Sequence, residues 1–199
     1  MQVKFMTLSG PYFSISTIIH LSYFLKFFDF IHCLSVSSGD NLLILGGSNR
    51  GYLSNVETAG IERDNNCTTQ NLPHRVASHA SVYVPFLRGI VTCGGMDERQ
   101  MHKKCIIQSK YENNTYFPDM NSNRSHLSMT LVGEKLFAIG GSPSWDSLEI
   151  FDVTSKNGRW ENQVMPISVS SHCLVKNGET LILTGGYNED DVYDNQCIC

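Results

Sequence analysis

Leu136-Phe137-Ala138-Ile139-Gly140-Gly141, then Leu148-Glu149-Ile150-Phe151-Asp152, then Trp160, stand within 25 residues of one another in the second half of the chain. Four apolar residues closed by two glycines read as a short buried strand. The Leu148 stretch begins by alternating apolar and polar residues, the pattern of a strand with one buried face. Apolar positions in these stretches do not follow the spacing of an amphipathic helix.

The same arrangement recurs outward in both directions. Gly-Gly pairs occur at Gly46-Gly47, Gly94-Gly95, Gly140-Gly141 and Gly185-Gly186, with first glycines 48, 46 and 45 residues apart. Each pair follows an apolar run: Leu42 to Leu45, Ile90 to Cys93, Leu136 to Ile139 and Leu181 to Thr184. His32, His79, His126 and His172 keep a similar period, at separations of 47, 47 and 46. A third landmark follows the glycines, at Asn55-Val56-Glu57, Lys104-Cys105-Ile106 and Ser147-Leu148-Glu149. Between the units come Pro73 with Arg75, Asn123 with Arg124, and Pro166, which read as turn residues ahead of the next strand.

Each unit therefore holds three or four short strands. A sheet of that size cannot bury both faces alone, whereas stacked sheets can, and radial stacking makes a propeller. An apolar strand ending in Gly-Gly, a Val-Glu or Leu-Glu strand, and a tryptophan about a dozen residues on resemble the kelch repeat, whose period is about 50 residues. The resemblance covers about residues 31–193 and is best from Leu136 to Trp160. It implies an all-β, kelch-type β-propeller with about four blades present, three full units and a partial one. The units fall at about 31–74, 75–121, 122–167 and 168–199, within a repeat domain of 31–199 preceded by a hydrophobic, aromatic segment at 1–30.

The units are not equally regular. The first has Cys67 near the tryptophan position; the second has Tyr116 and Phe117 there, and Ile107 near the place of Glu57 and Glu149. Kelch propellers carry about five to seven blades, so the circle is expected to be incomplete. The chain is a fragment, closes with a partner chain, or draws missing strands from its first 30 residues. The abrupt loss of the pattern at both ends favours a fragment.

Composition narrows the function classes. Hydrophobic residues are 41% and charged residues 17%, a globular balance, and the net charge of −4 speaks against nucleic-acid binding. Seven cysteines (Cys33, Cys67, Cys93, Cys105, Cys173, Cys197 and Cys199) exclude a complete set of intrachain disulfides and contain no CxxC pair. Residues 5–25 lack Lys, Arg, Asp and Glu but carry several Ser, Thr, Gly and Pro residues. Membrane contact is expected only if this run acts as a leader or anchor.

Bland readings account for most candidate chemistry. Phosphate loops need a following helix N-terminus, which the glycine pairs lack, so the glycines are expected to serve positive φ and close backbone approach. The four histidines, one per unit, are expected to be structural, hydrogen-bonding a neighbouring turn, because ring-spread positions do not converge on a metal. Neither metal nor cofactor is expected. No GxSxG elbow appears, and the ligands of a galactose-oxidase-like copper site cannot be assigned, so a non-enzymatic role is expected. Sequons occur at Asn66, Asn113 and Asn123, the number expected by chance in a chain this rich in Asn, Ser and Thr, so they weigh little toward secretion.

Loops after the glycines differ most between units, and variable loops on a rigid scaffold are where binding sits. Arg50, Tyr52, Asp97, Arg99, Trp145 and Tyr187 are the candidate partner-binding residues. His32, His79, His126, His172, the eight glycines and Trp160 are the structural repeat positions. The function these features imply is a protein-interaction module in the cytoplasm, part of a larger kelch adaptor, with a protein partner. The alternative is a secreted or membrane-tethered glycosylated propeller.

Overall fold

The structure is a computed structural model that describes residues 34–38, 41–48, 51–54, 56–60, 71–109, 114–178 and 180–188. His32, Arg50, Cys67, the sequons at Asn66 and Asn113, and residues 5–25 lie outside the described residues. Within them the protein is all-β, with thirteen strands and no α-helix; a single 3-10 turn spans Pro85–Leu87.

The strands form separate antiparallel meanders in chain order. The first sheet holds β1 (Leu34–Ser38), β2 (Asn41–Leu45) and β3 (Val56–Gly60). The second holds β4 (Ala77–Val84), β5 (Gly89–Met96), β6 (Cys105–Ser109) and β7 (Thr115–Phe117). The third holds β8 (Ser128–Val132), β9 (Lys135–Ile139), β10 (Ser147–Asp152) and β11 (Glu161–Val164). In the fourth, β12 (Cys173–Asn177) pairs with β13 (Thr180–Thr184). Among the described residues no sheet closes on itself. First strands lie beside one another, β1 by β4, β4 by β8 and β8 by β12.

Stacking explains the apolar runs before the glycines. In β9, Leu136 and Ala138 join the core against the second sheet, with Val84, Val91, Phe117 and Leu127. Phe137 and Ile139 point the other way, into a core with Leu181 and Leu183 of the fourth sheet. Period-two alternation thus serves two buried faces. Burying each such side chain is worth about 1.5–3 kcal/mol, gained only with a neighbouring sheet on either side. Outer strands are polar or exposed: all four residues of β11 are exposed, as are Thr115 and Tyr116 of β7.

Cys93 and Cys105 are directly opposed on β5 and β6, with Cα atoms 4.2 Å apart, and form a disulfide. In the third sheet the same ladder position pairs Ile139 with Leu148, and in the first Leu45 with Val56. The bond therefore stands where the third sheet has an apolar cross-strand pair.

Candidate functional site

Four glycine pairs mark one end of the second strands, and their backbone geometry organises the loops there. Every one of the eight glycines has positive φ, from 55° at Gly46 to 101° at Gly47. A Cβ on Gly46, Gly94 or Gly140 would come within 2.4, 2.7 and 2.3 Å of the carbonyls of Val76, Arg124 and Val169. The same carbonyls accept hydrogen bonds from Gly47, Gly95 and Gly141 at 2.9, 2.7 and 2.9 Å. Each of these three pairs thus receives the segment leading into the next sheet, and no side chain fits between.

These contacts set the register of the repeat. Val76, Arg124 and Val169 are equivalent, and two residues on come Ser78, His126 and Ser171, all in left-handed conformation with φ of 55°, 57° and 53°. Backbone bonds run along this row, from His126 N–H to Ser78 O at 2.8 Å and from Ser171 N–H to His126 O at 2.9 Å. His79 and His172 fall one position later, where the third sheet carries Leu127. Cβ atoms built on Gly95, Gly141 and Gly186 meet His79, Leu127 and His172 in turn. The histidine period in the sequence is therefore out of register by one at His126.

The roles differ accordingly. His126 hydrogen-bonds Ser78 Oγ through Nε2 at 3.0 Å. His79 and His172 are 4% and 6% exposed, and neither ring nitrogen has a hydrogen-bond partner among the described residues. Burial pushes both pKa values down to about 4, with His74 adding to the shift at His79. They pack as neutral rings where the third sheet packs Leu127, and among the described residues neither bonds a neighbouring turn.

Arg124 turns from this row into the third sheet. Arg124 and Glu149 are both fully buried and paired at 3.0 Å. The guanidinium also donates to the carbonyls of Gly140 and Ser147, both at 2.8 Å, and to Ser147 Oγ. Glu149 accepts the N–H groups of Asn121 at 2.6 Å and Ser122 at 3.1 Å. Linker, glycine turn and middle strands are thereby locked together. Opposite charges at Arg124 and Glu149, the latter between the apolar Leu148 and Ile150, were the available signal, but Arg124 reads locally as a turn residue.

The second sheet solves the same problem without charge. By ladder register, Glu149 opposes Ala138 and its counterpart Ile106 opposes Thr92. Ile106, and not Ile107, occupies the glutamate position, and it packs with Val76, the counterpart of Arg124. Trp160 is likewise matched by Asn114, not by Tyr116 or Phe117: each immediately precedes its outer strand, β11 or β7. Trp160 Nε1 donates to Pro118 O and Asn114 Nδ2 to Asn71 O, both at 2.8 Å, in the preceding linkers. Phe117 instead packs against Phe151 and Trp160 of the next sheet.

The loops beyond the glycines hold the candidate binding residues in two groupings. Trp145 and Tyr187 meet edge to face at 5.4 Å, joining the third and fourth sheets. Asp97 caps its own loop, accepting the N–H groups of Arg99 at 2.7 Å and Gln100 at 2.9 Å and His102 Nε2 at 2.9 Å. The backbone N–H groups of Arg99 and Gln100, then His102, hold the Asp97 carboxyl down at about 2. His102 in turn meets the ring of half-buried His74, 5.7 Å away; burial first, then His102 and Lys104, lower the His74 pKa. Arg99 is exposed, and Tyr52 is half-buried, bridged to Ser48. Concavities elsewhere include a polar notch of about 320 Å³ along Lys135, Asp152 and Arg159 and an apolar one of about 110 Å³ between Leu148 and Leu181.

No protein-family model matches this chain, and no curated protein matches it. No helix among the described residues is long and apolar enough to cross a membrane.

Proposed function

We propose that the chain supplies about four blades of a kelch-type β-propeller and acts as a non-catalytic protein-interaction module through its post-glycine loops. Four consecutive meanders, adjacent through their first strands, support the architecture. The observation that carries the binding role is the Trp145–Tyr187 pair, two half-buried aromatic rings held across two sheets on a rigid glycine turn. Aromatic side chains so fixed lose little entropy on binding and are enriched at interface hot spots. Immobilised full chain should capture a discrete protein from native lysate, and Trp145→Ala with Tyr187→Ala should cut that capture at least tenfold. Undiminished capture by the double variant, or no captured protein at all, overturns the assignment.

A second reading, a secreted or membrane-tethered glycosylated propeller in place of a cytoplasmic one, is favoured by the buried Cys93–Cys105 disulfide. Such bonds persist in oxidising compartments and are rare in the cytosol.

A further inference from the structure

Two features, in the second sheet and in the linker to the third, bear on the compartment in which the chain folds. Cys93 and Cys105 are both 0% exposed, packed with Phe117, Met120 and Leu127. A reductant cannot reach that bond without parting β5 from β6, so it is a structural staple formed during folding. It closes the base of the Asp97 loop, next to the bond from Gly94 N–H to Lys104 O at 3.0 Å. The second feature is the sequon Asn123-Arg124-Ser125. Asn123 is exposed, while Arg124 and Ser125 are 0% exposed.

We infer that Asn123 is an N-glycosylation site of a chain that folds in an oxidising compartment, an inference resting on the secreted reading above. The Asn123 amide nitrogen would bond the anomeric carbon of a polyprenyl-diphosphate-linked oligosaccharide. The carbon–oxygen bond to the diphosphate breaks, and the amide proton leaves with the polyprenyl diphosphate. Transfer must precede folding, because a transferase has to grip the whole tripeptide and two of its three residues end buried. Afterwards the exposed Asn123 leaves room for the glycan, which the folded core would not give at Arg124 or Ser125. The glycan would also border the binding loop: the Asn123 carbonyl accepts a hydrogen bond from Ser144 Oγ at 3.4 Å, one residue before Trp145.

The test is peptide mass spectrometry on the native protein, isolated with thiols trapped by N-ethylmaleimide and then treated with N-glycosidase in heavy-oxygen water. The expected result is a linked Cys93–Cys105 peptide and conversion of Asn123 to heavy-labelled Asp. Asn123→Gln should remove that label while the melting temperature of the folded chain stays unchanged. N-ethylmaleimide on both cysteines before reduction would overturn the oxidising compartment and with it the secreted reading. A linked cysteine pair with unlabelled Asn123 would overturn the glycan site alone.

Discussion

Arg124 and Glu149 show how one residue can carry a junction. Removing one partner leaves the other charge buried with its hydrogen bonds broken, so Glu149→Gln or Arg124→Met should cost about 3–5 kcal/mol. The protein contains its own apolar alternative in Val76 and Ile106. Arg124→Val with Glu149→Ile should therefore recover part of the loss. It should remain less stable than the parent by about 1–3 kcal/mol, because the N–H groups of Asn121 and Ser122 lose their acceptor. Urea denaturation of the three variants checks this; a double variant no better than the singles would deny that the two junctions are equivalent. At this scale the sequence was only partly legible. Glu149 and Arg124 were visible as residues, but nothing local says that side chains 25 positions apart share one desolvated site.

Among elements, the glycine turns were the most legible feature, and the structure gives their cause in atomic distances. Gly140 and Gly133 have the same φ of 58°, yet a Cβ at Gly140 would strike Val169 O at 2.3 Å while one at Gly133 would meet nothing within 4 Å. Gly133→Ala should cost only the left-handed backbone strain, about 1–2 kcal/mol. Gly140→Ala adds a backbone clash and displacement of the bond from Gly141 N–H to Val169 O, so its loss should be the larger by about 2 kcal/mol or more. Thermal unfolding of the two variants separates strain from crowding, and equal losses would remove crowding as the cause. Outer strands were harder to place from sequence. Sequence alone suggests Tyr116 or Phe117 for the tryptophan position of the second unit, whereas the bond to the preceding linker is made by Asn114, a different chemical type doing the same tying.

Across the whole molecule, buried neutral histidines make stability depend on pH. His79 and His172 titrate near 4 when folded and near the ordinary 6.5 when unfolded. Between those values the unfolded chain binds more protons, so stability rises with pH there. The protein should have its full stability above about pH 6.5 and lose it progressively toward pH 4, by up to ~3 kcal/mol per histidine. Asp97 lies outside this window, since its depressed pKa of about 2 acts only below the usual carboxylate range. His79→Leu, which copies Leu127 of the third sheet, should flatten the dependence in denaturant midpoints measured from pH 8 to pH 5. An unchanged slope would mean that His79 is not the titrating group.

Period and strand content belong to the sequence alone, because glycine at positive φ and apolar alternation are requirements each short segment meets by itself. So the all-β class, the four glycine turns and the variable loops beyond them could be read without coordinates. Register and partnership belong to the tertiary structure. Which histidine packs as leucine does, which arginine finds a buried carboxylate, which cysteines bond and which two rings meet all depend on neighbouring sheets, whose contacts are set by backbone approach across some 45 residues of intervening chain.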